Sequence, residues 1–203
     1  MILNVNLGNE HILEYFPNFE YFNCTKPNRL KFSKLNNLTG SQQRAFIIYH
    51  ILEEVKKHGE IGLNIGAGQC NEPFTLSIDH YYGDKHPLYG GEYHPQLTSK
   101  CDKLPFNDNS FQFIIASHVL EHVSNPLETF KEWIRILKIH GALILLVPDG
   151  RYEKPAPWDI DHKQFFSPAS FTEHILYECD NMGTEVFDTL NNQFSLNYVG
   201  RKQ

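Results

Sequence analysis

Two glycines and an acid set the first chemical possibility in this sequence. Ile61–Ile65 reads as a short strand running into Gly66-Ala67-Gly68, and a second strand, Phe74–Ile78, ends at Asp79. A glycine turn at the carboxyl end of a parallel strand lets a ligand approach the backbone closely. A carboxylate at the end of the next strand can accept two hydrogen bonds from a ribose diol. Ten residues lie between Gly68 and Asp79. A dinucleotide site wants about 20 there, with a full helix between, so the spacing argues against NAD.

A second set of residues suits proton transfer. His118, His122, Asp149 and His162 are candidate bases, and His118 and Asp149 follow strands at the ligand edge. An imidazole can take a proton near pH 7 with little tuning. Each histidine can equally serve as a structural hydrogen-bonding group. His118 and His122 stand four apart beside Glu121, but the segment is not HExxH, and Cys24, Cys70, Cys101 and Cys179 form no CxxC pair. No metal site is expected on this pattern, and the cysteines are read as reduced.

These groups need elements to position them. Ile47, Ile48, Ile51, Leu52 and Val55 fall on one helical face, with Ser41 as N-cap and Gly59 past the end. Phe113–Ala116 suits a buried parallel strand. A helix follows, with Asn125 capping, Pro126 at N1 and Glu128 in the capping-box position; Leu127, Phe130, Ile134 and Leu137 form its stripe and Gly141 ends it. Ala142–Val147 is a further strand, Ser167-Pro168 opens another helix, and Thr184–Leu190 with Phe194–Gly200 form a closing hairpin. A short strand near Leu97–Cys101 completes an α/β, doubly wound, mostly parallel sheet of seven strands with an antiparallel edge strand. Residues 41–203 make this domain; residues 1–40, with Tyr15, Phe16, Phe19, Tyr21, Phe22 and Phe32, read as an N-terminal cover.

Several ordered motifs carry a resemblance. Asp102-Lys103-Leu104-Pro105-Phe106-Asn107-Asp108-Asn109-Ser110-Phe111 precedes Ser117-His118-Val119-Leu120-Glu121-His122, then Glu132-Trp133-Ile134-Arg135-Ile136-Leu137-Lys138 and Leu146-Val147-Pro148-Asp149. Together with the glycine turn these are similar to the class I S-adenosylmethionine-dependent methyltransferases of the type 11 group, which have a Rossmann-like fold. The resemblance implies S-adenosyl-L-methionine as cofactor and S-adenosyl-L-homocysteine as product. It implies that Asn64, Gly66, Ala67 and Gly68 cradle the methionine part, and that Asp79, with His80 beside it, takes the ribose. It assigns Asp102, Lys103 and Leu104 to the adenine, and Ser117 and His118 to the neighbourhood of the sulfonium. Asn64 stands where the family more often has an acid.

The catalytic group is then expected among His118, Asp149 and His162. Relatives of this kind suggest O- or N-methylation of a sugar, or of a sugar-linked or phosphorylated metabolite of surface polysaccharides. A non-catalytic, cofactor-binding partner subunit is the alternative. Tyr81, Tyr82, Tyr89, Tyr93 and His94 are placed to shape an acceptor pocket, and Arg151, Tyr152 and Lys163 to meet a phosphate or carboxylate. The net charge of −6 argues against a nucleic-acid partner held through phosphates. No apolar run approaches the roughly 20 residues of a membrane span and the N-terminus does not read as a signal peptide, so the expected location is cytoplasmic.

Overall fold

The apolar strands do what such runs must, which is to bury both faces. The computed structural model describes residues 39–68, 72–80, 83, 93–152, 161–188 and 195–203. Its strands are β1 (Gly62–Ile65), β2 (Thr75–Asp79), β3 (Leu97–Thr98), β4 (Phe111–Ser117), β5 (Leu137–Pro148), β6 (Met182–Asp188) and β7 (Ser195–Lys202). They form one seven-stranded sheet in the order β3-β2-β1-β4-β5-β7-β6. Pairing is parallel from β3 through to β5. β7 pairs antiparallel with both β5 and β6, so the reversal lies at that end of the sheet. The expected cover lies outside the described residues up to position 38, as do Tyr81, Tyr82 and Tyr89.

Helices close each face. α1 (Thr39–His58) buries Phe46, Ile47, Ile51 and Val55 against Phe113 and Ile115 of β4 and Ile144 and Leu146 of β5. α2 (Pro126–Ile136) buries Phe130, Trp133 and Ile134 with the alternate residues Ile114, Ala116, Leu143 and Leu145. One strand thus feeds two cores through its two-residue period. Trp133 is fully buried, and its Nε1 donates to the Cys101 carbonyl at 2.9 Å, tying α2 to the loop after β3. Arg201 donates to Glu54 at 2.8 Å and to Glu185 at 2.6 Å, fastening α1 to the β6–β7 end. Among the described residues no helix is long and apolar enough to cross a membrane.

Local signals were met unevenly. Gly59 ends α1 at φ +66°, its N–H donating to the Val55 carbonyl at 2.7 Å. Ser41 lies inside α1, which begins at Thr39, and so is not its N-cap. Asn125 is the N-cap of α2, but its side chain makes no capping bond, and Glu128 faces Lys131 at 3.4 Å instead. Leu137 is not helical. The Asn109 and Ser110 amides bond the Arg135 and Ile136 carbonyls, and the chain turns extended at Leu137, opposite Phe111. Gly141 therefore does not stop a helix. It sits opposite the register shift between Phe111 and Phe113, where a Cβ would press on the Gln112 and Lys138 carbonyls. Ser167 does cap α3 (Pro168–Phe171), in a reciprocal pair with Ser170. The chain then winds wider through Thr172–Leu176, with the Tyr177 amide reaching the Thr172 carbonyl at 3.0 Å.

His50 on α1 carries the clearest pH signature of the fold. Burial lowers its pKa to about 4 from 6.5, partly opposed by Glu54 and Glu185. Below pH 6.5 the unfolded chain takes a proton that folded His50 refuses, so stability falls as pH drops towards 4. We expect a contribution on the order of 1 kcal/mol per pH unit across that window. Urea titrations of wild type and His50→Gln at pH 7, 6 and 5 should show the variant with the shallower fall.

Candidate active site

The strand order reverses between β1 and β4, the place where an open α/β sheet forms its ligand crevice. The chain leaves β1 through Gly66 and Gly68, both at positive φ, +64° and +54°. A Cβ on Gly66 would overlap Val119 Cγ2, so the loop after β4 packs directly on this turn. The Gly68 amide donates to Asp79 Oδ2 at 2.9 Å, and the Ala67 amide to the Ile78 carbonyl at 3.0 Å. The turn and the acid are therefore one unit. Asp79 is buried, with His80 Nδ1 at 3.3 Å from its Oδ1. Asn64 is buried within β1 at the same edge.

β4 delivers Ser117 and then His118, which sits at φ +57°. A histidine in that region stores strain, which functional sites tend to hold. Its amide bonds the Leu146 carbonyl at 2.9 Å. Its Nδ1 lies 3.2 Å from Glu121 Oε1, and its Nε2 lies 3.3 Å from the Gln43 carboxamide of α1. Glu121, on the short turn Leu120–His122, is 1% exposed. His122 lies on the other side, Nε2 3.9 Å from the same oxygen and Nδ1 3.3 Å from Asp161 Oδ2. The His162 ring meets that of His122 edge-on at 4.7 Å. The Lys163 and Gln164 amides both donate to the Glu121 carbonyl, at 2.8 and 3.0 Å.

The sequence candidates thus divide. His118, His122 and His162 gather around Glu121. Asp149 does not offer a free carboxylate: it is fully buried and takes Arg151 in a fork, Nη2–Oδ2 2.6 Å and Nε–Oδ1 3.0 Å. Arg151 is likewise committed, and lies 5.2 Å over the Tyr152 ring. In the loop after β3, Asp102 and Lys103 are exposed while Leu104 is buried. The Leu104 amide is spent on Glu132 Oε1 at 2.8 Å, so this residue can line a pocket through its side chain rather than its N–H. Arg135 beside it draws the Glu132 carboxyl below the usual carboxylate range. Glu121 and Gln43 were not predicted as site residues. Glu121 lay in plain view between the two histidines; Gln43 carries no sequence signal at all, since only packing of α1 brings it to β4.

Residues 84–145 match the family described as "Methyltransferase domain", of the type 11 group. The structure superposes on a SAM-dependent methyltransferase from Methanosarcina mazei with a TM-score of 0.54 at 16% identity, over 77% of this chain and 96% of that one. The fold is that of a class I methyltransferase. The chain is 27% identical over 103 residues to an uncharacterized protein of Methanocaldococcus jannaschii, covering 48% of this chain and 50% of that one. It is 24% identical over 134 residues to a demethylmenaquinone methyltransferase of Staphylococcus epidermidis, covering 57% and 55%. The chain thus spans about half the length of these curated relatives.

The contact of Gly66 with Val119 yields a double-mutant test. Gly66→Ala adds a methyl against Val119 and forces alanine to positive φ. We expect a loss of about 2–4 kcal/mol in urea unfolding, from overpacking plus backbone strain. In a Val119→Ala background the cost of Gly66→Ala should drop to about 1–2 kcal/mol, the backbone share alone. An unchanged cost in that background would show that the turn does not rest on Val119.

Proposed function

We propose that this chain is an S-adenosylmethionine-dependent methyltransferase acting on a small molecule. The observation that carries the reading is the unit made by Gly66, Gly68 and Asp79 at the switch point, with His118 at the next strand end. The residues fit the cofactor. A carboxylate oxygen has more than one lone pair, so Asp79 can hold the Gly68 amide and still accept from a ribose hydroxyl. The glycine turn suits the amino-acid end, with Asn64 able to hydrogen-bond it, and Leu104 gives an apolar wall for the adenine beside Asp102 and Lys103. S-adenosylmethionine supplies a methyl group on a sulfonium and leaves as a neutral thioether, so no acid is needed for departure.

The protein's work is then on the acceptor. Holding the reacting atoms aligned and dry can supply on the order of 7–11 kcal/mol. A hydroxyl acceptor must also lose its proton. Of the three candidate bases, Asp149 is spent on Arg151, and His162 packs against His122. His118 is best arranged: with Nδ1–H given to Glu121, Nε2 is the nitrogen that would take the acceptor's proton, in exchange for its contact with the Gln43 carboxamide at 3.3 Å. An oxygen of a sugar, or of a sugar-linked or phosphorylated metabolite of surface polysaccharide biosynthesis, is the acceptor class we favour. The support is the base at the site, the family resemblance and a net charge unsuited to nucleic acid. The cytoplasm is the matching compartment, supported by the free thiols of Cys101 and Cys179.

Calorimetry with S-adenosylhomocysteine and a turnover assay over a panel of sugars and nucleotide sugars test the reading. Asp79→Asn should weaken product binding about tenfold. His118→Gln should weaken that binding less than Asp79→Asn does and lower kcat about 10²–10⁴-fold. A wild-type chain that fails to bind S-adenosylhomocysteine would sink the proposal.

A further inference from the structure

Glu121 has two oxygens with different surroundings. Oε1 faces His118 and His122, at 3.2 and 3.9 Å. Oε2 is buried and has no hydrogen-bond partner. Leaving a buried charged acceptor unmatched is costly, so this oxygen calls for an occupant. One ligand atom each from Glu121, His122 and His162 all lie within 4.8 Å of one another.

The geometry points to a divalent transition-metal site formed by Glu121, His122 and His162. Three donors about 2.1 Å from one ion sit roughly 3–3.5 Å apart, so small side-chain rotations close the set. Two imidazoles with one carboxylate suit Zn²⁺, Fe²⁺ or Co²⁺, whereas Mg²⁺ and Ca²⁺ prefer oxygen donors throughout. Asp161 Oδ2 stands 3.3 Å from His122 Nδ1 without a hydrogen bond between them, and Nε2 faces Glu121; a small ring rotation would turn this proximity into the carboxylate–histidine–metal arrangement. The two amides held by the Glu121 carbonyl fix the segment carrying His162 to the turn carrying Glu121. Local spacing does not reveal this set, because His162 comes forty residues after His122.

Three protein donors leave coordination positions open. Taken with the methyltransferase reading, on which its role rests, the ion would hold the acceptor oxygen beside His118. There the acceptor O–H bond breaks, the proton passes to the His118 imidazole, and the oxygen keeps its electron pair against the cation.

The test uses the full chain stripped with chelator and titrated with Co²⁺, read by its visible absorption and by metal analysis after dialysis. S-adenosylhomocysteine calorimetry is run on the same samples. We expect one Co²⁺ per chain, displaced by Zn²⁺. His162→Gln should weaken Co²⁺ binding at least tenfold, and Asp161→Asn, on an exposed residue, should weaken it about 10–100-fold or alter the absorption band. Circular dichroism checks that each variant folds, and Asp161→Asn serves should His162→Gln not. Wild type that binds no Co²⁺, or a folded His162→Gln that binds it as wild type does, overturns the site. Product binding without Co²⁺ binding removes the metal alone. Co²⁺ binding without product binding leaves the metal site standing and removes the methyltransferase reading.

Discussion

A carboxylate buried to 1% exposure has to be compensated, and in this molecule the compensation of Glu121 organises one whole edge of the sheet. Its side chain draws in His118 from the end of β4 and His122 from its own turn. Its carbonyl draws in the backbone of Lys163 and Gln164. The segment that follows carries Phe166, which closes the Asp149 corner, its carbonyl taking the Gly150 amide at 2.7 Å. One acidic residue thus sets the relative positions of three chain segments that are distant in sequence. A neutral isostere would keep the shape and lose the field that holds both imidazoles.

The opposite wall is built differently, from backbone rather than charge. β1 and β2 run parallel, yet only residues 66–74 connect them. A parallel crossover normally takes a dozen residues or more and a helix. Here the path is shortened by two glycines at positive φ, and Asp79 clamps the bend by accepting the Gly68 amide. The acid is therefore structural before any ligand arrives. The bond to the Gly68 amide gives the buried carboxylate a partner at the end of β2.

What could be read from the chain followed from local periodicity. The apolar runs at 113–116 and 142–147 announced two of the parallel strands, and the single-face stripe at 47–55 announced α1. Capping was legible where serine met proline at Ser167-Pro168, and misleading at Asn125 and Glu128, where the side chains found other places. The helix-to-strand change at Leu137 was hidden because an apolar residue suits both elements, and the pairing with Phe111 decides it. Within the site, Gly66, Gly68 and Asp79 were visible as a pattern. The fork between Asp149 and Arg151 has no such pattern: a strand-end acid suggests a free carboxylate, and only the turn after β5 brings Arg151, two residues on, back onto it.

The same geometry limits what mutation of Glu121 can teach. Because His118 and His122 share one of its oxygens, removing the carboxylate disturbs the tautomer of His118, the pairing with His122 and the proposed ion together. Losses from such a change do not add, since groups sharing one partner act as a unit. The separable elements lie one step outward. Gln43 touches the His118 side, and Asp161 touches the His122 side. A base role for His118 and a cation role for His122 and His162 are thus distinguishable at the periphery of the cluster, although they share its centre.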